Sequence, residues 1–182
     1  MADKTIPQSR ASRNDLTAAY VRSILDYDPE TGWFRWKWRD DLRRCDNARC
    51  AGNVAGAQDG NGYHRIRIDG RRYKAHRLAW LIVTGAWPAE QIDHRNGVRD
   101  DNRVANLREA TNRENGRNGR LPRNNTSGFK GVSWHRQSRR WQAYIMIDYH
   151  IHHLGYFDTP EAAHAAYCVA SARLHGAFGR IE

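Results

Sequence analysis

Hydrophobic positions in the first part of the chain follow two different spacings. Residues 16–25 carry an apolar stripe at helical spacing behind Asn14 and Asp15, which can cap a helix, so a first helix is predicted there. Residues 33–38 then alternate aromatic and basic side chains, which predicts a strand. We expect its aromatic residues to pack in the core; they are Phe34, Trp36 and Trp38.

The pattern changes after residue 40. Residues 41–62 have no clear period and several glycines, which predicts a loop. The next two runs flank Asp69-Gly70, a pair that favours a tight two-residue turn, so residues 63–75 are predicted to form a hairpin. Residues 76–84 are apolar at helical spacing, and Gly85 is placed to end that helix.

The middle of the chain alternates short elements with a long polar segment. A short strand is predicted to end at Ile92, a loop to fill residues 93–106, and a second strand to run from Leu107 to Ala110. Thr111-x-x-Glu114 is a capping box, which predicts that a helix begins at Thr111.

Residues 116–128 mark a boundary by composition, because they hold three arginines and no acidic residue among Gly, Asn and Pro. Three strands and a final helix follow this linker. We predict the strands at 131–135, 140–147 and 151–156, and the helix from Glu161 to about Leu174 with Thr159 as its cap.

Charge narrows the range of functions. The 182 residues include 30 Lys and Arg against 20 Asp and Glu, which gives a net charge of +10. Arginine supplies 26 of those cations, and its planar fork of donors suits phosphates and guanine edges. The neutral middle segment is flanked by two basic segments, as expected for a metal-using site between two phosphate-binding arms.

Other classes of protein are disfavoured. No apolar run is long enough to span a bilayer, the start lacks the apolar core of a signal peptide, and no small-molecule substrate is indicated. Three cysteines make no disulfide framework, so we expect a protein of the reducing cytoplasm. Cys45 and Cys50 are either half of a zinc site or, as we favour, structural or free thiols.

The middle segment holds the groups that phosphodiester hydrolysis needs. Asp93 is a hard oxygen ligand for a divalent ion, and His94 beside it can activate water from the opposite side of a strand. Asn106 ends the loop, where an amide can hold the loop in shape. Asn115 lies one turn into the predicted helix, facing the strand pair. His76 either approaches a phosphate or has a structural role capping its helix, which we favour.

Roughly residues 63–118 resemble the HNH homing endonucleases of phage genomes and group I introns. The residues that carry the resemblance are HRLAW…IDHRNGVRDDNRVANLREATNRENGRN. The resemblance implies a ββα-metal (His-Me finger) core, with His94 as general base and Asn106 as the central structural Asn. It also implies that Asp93 and Asn115 bind the metal, an H-N-N variant that favours one magnesium or manganese ion.

The chain from about Thr126 resembles the APETALA-two/ethylene-response-factor DNA-binding domain. The resemblance rests on Lys130-Gly131-Val132, Trp141-x-Ala143-x-Ile145, Leu154-Gly155-x-Phe157-Asp158-Thr159 and an alanine-rich helix through Tyr167. It implies a three-stranded sheet packed on one helix, with the sheet inserted in the major groove. Ser133, His135 and Ile151 stand where the plant domains have Arg, so their target sequence does not carry over.

Alternation along the strands assigns the faces of this sheet. Trp141, Ala143, Ile145 and Ile147 should pack on the helix, and the opposite face should meet DNA. The linker arginines recur every third residue and can track phosphates, or the linker can be a plain tether. The predicted DNA-binding residues are Arg117, Arg120, Arg123, Lys130, His135, Arg136, Arg139, Arg140, Gln142, Tyr144 and His153.

Together these patterns predict an α+β protein. We expect an N-terminal helix and strand region at 1–62, an HNH core at 63–118, a basic linker at 119–127 and a DNA-binding domain at 128–182. The predicted activity is metal-dependent, site-specific nicking of double-stranded DNA by a monomer or dimer. The alternatives are a non-catalytic DNA-binding regulator and a structure-directed phage packaging or repair nuclease.

Overall fold

The structure, a computed structural model, describes residues 16–119, 121 and 124–181. The chain forms two compact units, which divide between Glu109 and Ala110. This division falls ahead of the predicted linker, and each unit is mixed α and β. Within the described ranges, no helix is long and apolar enough to cross a membrane.

The first unit begins with a helix and a small hairpin. Helix α1 (Ala18–Ile24) is capped by Thr17, whose hydroxyl accepts a hydrogen bond from the backbone N–H of Tyr20 at 3.2 Å. The chain then enters β1 (Leu25–Tyr27), which pairs antiparallel with β2 (Phe34–Trp36). The predicted caps, Asn14 and Asp15, lie outside the described residues, and Thr17 is the cap because its extended backbone lets its hydroxyl reach the first turn.

Residues 41–62 contain two elements, which corrects the prediction of a loop. Helix α2 (Arg44–Cys50) buries only Asn47, so it has no apolar stripe for a sequence pattern to reveal. The contact that holds α2 in place is polar: the side-chain oxygen of Asn47 accepts a hydrogen bond from the backbone N–H of Arg39 at 2.9 Å. Strand β3 (Ala57–Gln58) follows and is only two residues long.

The aromatic strand is shorter than predicted. Phe34 is buried and Trp36 packs against the core, but Trp38 is 54% exposed, contrary to the expectation of core packing. The reason is that pairing with β1 ends at Trp36, so the alternation of faces does not continue to Trp38.

A three-stranded sheet and a helix form the centre of the first unit. The order is β3, then β4 (His64–Ile68), then β5 (Arg71–Lys74), with antiparallel pairing throughout. The Asp69-Gly70 turn has φ of 48° and 79°, as the predicted tight turn requires. Helix α3 (Ala75–Thr84) follows at once and ends at Gly85 in the left-handed conformation, as predicted.

A second pair of strands completes the first unit. Strand β6 (Gln91–His94) pairs with β7 (Leu107–Ala110), so Asp93 and His94 lie on a strand and not in the loop. One core unites the unit, since residues from its helices and strands bury their side chains together. Its largest buried members are Leu25, Phe34, Ile66, Ile68, Leu78 and Leu81.

The second unit begins with a short helix and ends with a sheet on a long one. Helix α4 (Asn112–Arg117) has the predicted capping box between Thr111 and Glu114. The strands are β8 (Val132–His135), β9 (Arg140–Ile147) and β10 (His150–Phe157), in antiparallel order β10-β9-β8. Helix α5 (Pro160–His175) is capped by Thr159, as predicted.

The sheet of the second unit packs on α5 through its small side chains. Ala143 of β9 and Ala163 of α5 are fully buried with Val132, and Trp141 packs against this core. Gly131 has φ of 71°, and a side chain there would collide with the ring of Tyr167. The helix therefore lies close on the sheet, as the alanine-rich sequence predicts.

Substitution of Gly32 tests how closely the β1–β2 hairpin packs against the backbone at residues 102–103. Its φ is 76°, and an added Cβ would lie 2.5 Å from the backbone nitrogen of Arg103. Gly85 has a similar φ of 81° but nothing within 4 Å of an added Cβ, so it is a matched control. We expect Gly85→Ala to cost about 1 kcal/mol from backbone strain and Gly32→Ala to cost about 1–3 kcal/mol more from the collision.

Urea unfolding of the two variants measures this difference. Equal free energies of unfolding for Gly32→Ala and Gly85→Ala would show that the loop at residues 102–103 yields without cost.

Candidate active site

Asp93 and His94 are neighbours on β6, and both are buried. Successive side chains of a strand point to opposite sides, so the carboxylate and the imidazole have different surroundings. On its side, Asp93 meets Arg108 of β7, whose Nε and Nη2 donate to Oδ2 at 2.8 and 2.7 Å. Because both partners are buried, this pair fixes the position of the carboxylate.

On the other side, His94 belongs to a cluster of aromatic rings. The ring of His76, from α3, lies 4.9 Å away edge-on, and the ring of Tyr63 lies 6.2 Å away. His76 is buried, and the N-cap position of α3 is Lys74, so His76 does not cap its helix. Its ring lies beside that of His94.

Both imidazoles are held in the neutral form. Burial lowers the pKa of His94, while contact with the Asn102 side chain and the charge of Asp93 oppose this in part. Burial also lowers the pKa of His76 well below its usual value, and the neighbouring His94 and Lys74 act in the same direction. At neutral pH, His94 therefore has the uncharged imidazole that a general base requires.

Asn106 lies at the end of a short 3₁₀ turn, just before β7. Its amide oxygen accepts from the backbone N–H of Asn96 at 3.0 Å, and its amide nitrogen donates to the carbonyl of Asp101 at 2.8 Å. The side chain thus joins two points of the loop between the strands. A second tie comes from Tyr27, whose hydroxyl donates to the carbonyl of Asn102 at 2.8 Å.

Asn115 lies on α4 and therefore belongs to the second unit, unlike the other three candidates. Its backbone N–H donates to the carbonyl of Thr111 at 3.0 Å, as expected one turn into a capped helix. Its part in a metal site stays a prediction.

The chemistry of the donors fits a divalent ion with few protein ligands. Among the described residues, no three His, Cys, Asp or Glu side chains are grouped so that they could hold a metal ion. Mg²⁺ does not need such a cage, because it keeps several waters and is bound by one or two carboxylates together with substrate phosphates. The carboxylate of Asp93 and the amide oxygen of Asn115 are donors of this hard type. Cys45 and Cys50 are exposed free thiols on α2.

Several of the residues predicted to bind DNA lie on one face of the sheet in the second unit. Register places Ser133 opposite Gln142 and His135 opposite Arg140, and residues directly opposite share a face. The amide of Gln142 donates to the hydroxyl of Ser133 at 2.9 Å. His153 lies opposite Tyr144 and so shares this face as well.

One residue of this face escaped the sequence analysis. Strand β10 has a register shift between His153 and Gly155, so Tyr156 lies opposite Gln142 and joins the same face. Its ring is 4.5 Å from His153 and 5.0 Å from His135. Strict alternation of side chains along β10 would place Tyr156 on the side of the helix, because it takes no account of the extra residue that β10 has between His153 and Gly155.

The other predicted DNA-binding residues differ in their exposure and in their contacts. Arg136 and Arg139 are exposed in the turn between β8 and β9, while Arg120 and Arg123 lie outside the described residues. Lys130 is half-buried, and its Nζ donates to the backbone carbonyl of Arg117 at 2.7 Å. Burial lowers the pKa of Lys130 to about 8. The roles of these residues in DNA binding stay predictions.

Comparison with known protein families identifies the class. Residues 73–117, which contain α3, β6, β7 and α4, match the family model described as HNH endonuclease. This stretch is an HNH endonuclease domain, so the chain is a nuclease that acts on nucleic acid. HNH nucleases generally use a divalent metal ion.

A phage relative extends the similarity. Over 115 residues the chain is 33% identical to Protein 3.8 of Escherichia phage T7, a match that covers 60% of this chain and 93% of that protein. The chain belongs to the HNH endonuclease family. No solved structure matches it significantly.

Burial of neutral His76 predicts how stability depends on pH. A histidine whose folded pKa lies below the unfolded value of about 6.5 binds fewer protons when folded, so stability is complete above pH 6.5 and falls as the pH drops below it. We expect a loss of about 1–2 kcal/mol in the free energy of unfolding between pH 7 and pH 5. His76→Phe should show a smaller loss over the same range.

Denaturant unfolding at several pH values measures this, with pH 8 as the reference at which the packing effect of the substitution is seen alone. If His76→Phe and the unaltered protein lose the same free energy between pH 7 and pH 5, burial of His76 in the neutral form is wrong.

Proposed function

We propose that this protein is a metal-dependent, site-specific DNA endonuclease of the homing type that nicks one strand per binding event. The observation that carries the proposal is the placement of a buried, neutral His94 beside a fixed carboxylate, Asp93, within the HNH domain. One chain offers one such histidine on β6, which suits a nick. A double-strand break would need two chains or two visits.

His94 acts as the general base in this proposal. Its uncharged imidazole takes a proton from a water molecule, and the resulting hydroxide attacks the phosphorus in line with the leaving oxygen. The bond from phosphorus to the 3′-oxygen breaks and that oxygen takes a proton from solvent water, so the products carry 5′-phosphate and 3′-hydroxyl ends. His76 and Tyr63 hold the imidazole in place by packing against its ring.

Asp93 and Asn115 are the residues that would hold the metal ion, magnesium or manganese. The ion, when bound, supplies a positive charge that polarises the scissile phosphate and stabilises the leaving oxygen. Arg108 positions the Asp93 carboxylate through two hydrogen bonds to Oδ2. Asn106 holds the loop that follows His94 through its bonds to Asn96 and Asp101.

The second unit reads the DNA sequence in this proposal. The proposal takes this unit as an APETALA-two-like domain, in which the surface formed by Gln142, Tyr144 and Tyr156 with their neighbours would enter the major groove. An antiparallel sheet can do this because the groove admits a β-ribbon. Tyr156 adds an aromatic ring to the polar donors of that face.

Plasmid cleavage tests the catalytic part. With Mg²⁺, supercoiled plasmid should convert to the nicked circle, and a chelator should stop the reaction. His94→Ala should lower the cleavage rate by about 10²–10⁴-fold, the usual contribution of a general base, while DNA binding is kept. The exposed His150, at the β9–β10 turn, provides the matched control His150→Ala, which should cut normally.

The pH profile adds an independent check. Because burial lowers the pKa of His94, the acidic limb of the rate profile should have its midpoint below the ordinary value of about 6.5. Cleavage by His94→Ala at the rate of the unaltered protein would exclude His94 as the base.

Sequence selectivity tests the second unit. Gln142→Ala should relax discrimination at one base position by about 1–3 kcal/mol, because amide side chains recognise base edges through paired hydrogen bonds. His152 is the control, since it is exposed but lies opposite Ile145 and so belongs to the other face of the sheet. Sequencing of cut positions in genomic DNA gives the measurement. Identical cut-site preferences for Gln142→Ala and His152→Ala would contradict the assignment of the face.

A further inference from the structure

One face of the sheet in the first unit is a block of positive charge. Register places Arg65 directly opposite Lys74 and Arg67 directly opposite Arg72 across β4 and β5. Residues directly opposite in an antiparallel pair project to the same side, so the four cations share one face. We call this surface, formed by Arg65, Arg67, Arg72 and Lys74, the basic sheet face.

The opposite face of the same strands belongs to the core. Ile66 and Ile68 of β4 and Tyr73 of β5 alternate with the cations and are buried against α3. The positions of the cations are therefore fixed by the burial of their neighbours. A one-residue slip of either strand would bury charge and expose the core, so the register cannot relax to separate the like charges.

Such an arrangement is unfavourable in the absence of an anion. Like charges directly opposite in a sheet destabilise it, whereas cations that merely improve solubility are usually spread among acidic residues. The carboxylate of Asp59 pairs with Arg65. Asp69, at the turn, is engaged by the hydroxyl of Tyr20 at 2.9 Å. Arg67 and Arg72 are both exposed.

The basic sheet face leads toward His94. The Nζ of Lys74 lies 4.3 Å from the centre of the Tyr63 ring, and the guanidinium of Arg99 lies 5.1 Å from the same ring. Tyr63 in turn packs 6.2 Å from the ring of His94. Positive charge therefore continues from the exposed end of the hairpin, at Arg67 and Arg72, to the edge of the catalytic cluster.

We propose that the basic sheet face binds the phosphate backbone of duplex DNA beside the cleavage position and guides the scissile strand toward His94. Charge complementarity identifies the partner, since a polyanion with regularly spaced charges relieves the repulsion between opposed cations. The proposal rests on the proposed function in that duplex DNA is the substrate. It assigns to the first unit a DNA contact of its own, separate from the sheet of the second unit.

Salt-dependent binding tests the proposal. The full-length protein is titrated onto a short duplex of arbitrary sequence in the presence of a chelator, so that no cleavage takes place. Each lost phosphate contact lowers the slope of log affinity against log salt by about 0.9, so Arg67→Gln/Arg72→Gln should lower the slope by about 2 and weaken binding at least about tenfold at 0.1 M salt. Arg67→Lys/Arg72→Lys should keep most of the slope, because it keeps the charge.

A matched pair controls for net charge. Arg44 and Arg49 are both exposed on α2 and have no cross-strand partner, so Arg44→Gln/Arg49→Gln removes the same charge from the same unit. This control should leave the slope nearly unchanged. Arg67→Gln/Arg72→Gln should also unfold no earlier than the unaltered protein, because it removes an opposed pair of like charges.

The outcomes separate the two proposals. Equal salt slopes for the unaltered protein and Arg67→Gln/Arg72→Gln would exclude DNA binding by the basic sheet face, and so would an equal loss of slope in both double variants. Neither result would contradict the proposed nuclease activity. A selective loss of slope in a protein that never nicks DNA would support the face and refute the proposed function.

Discussion

The ion pair between Asp93 and Arg108 is the interaction on which the arrangement of the site depends. A buried carboxylate is tolerated only when its charge is compensated, and here the compensation comes from the neighbouring strand, β7. The pair therefore sets the side of β6 on which Asp93 lies. Because strand residues alternate, His94 must then lie on the other side, among the rings of His76 and Tyr63.

This separation gives two adjacent residues different electrostatic surroundings. Asp93 is paired with the guanidinium of Arg108, while His94 is desolvated and its pKa is lowered. A carboxylate suited to a cation and an imidazole suited to a proton thus lie next to each other in the chain without neutralising one another. The loop that follows His94 is held by Asn106 and, through Asn102, by Tyr27 of the N-terminal hairpin. The hairpin is therefore part of the support of the site.

Much of the fold could be predicted from local sequence, because local chemistry decides it. The Asp69-Gly70 turn, the glycine that ends α3, and the capped starts of α4 and α5 each depend on a few neighbouring residues. Helix α2 could not be predicted, since its one buried residue, Asn47, is polar and produces no hydrophobic period. Asn47 is held by a hydrogen bond from the backbone of Arg39, which no hydrophobic period encodes.

In the candidate site, too, some features follow from local sequence and others only from contacts in the folded chain. The sequence around Asp93, His94, Asn106 and Asn115 indicates a nuclease motif, and the family match supports that class. The partner of Asp93 could not be found in this way, because Arg108 comes into contact through strand pairing and not through spacing along the chain. The sequence left His76 with two possible roles, near a phosphate or at the start of its helix. Its proximity to His94 depends on the packing of α3 in the folded unit.

The extra residue in β10 has a consequence for how such a protein could diversify. Because the register shifts between His153 and Gly155, every side chain beyond that point lies on the side opposite to the one that alternation would give it. Deletion of that one residue would restore regular pairing and leave Tyr156 opposite Gln142, so the strand can gain or lose a residue at this position without turning its outward side chains inward. Anywhere else in the strand, the same change in length would shift the register and exchange the two faces.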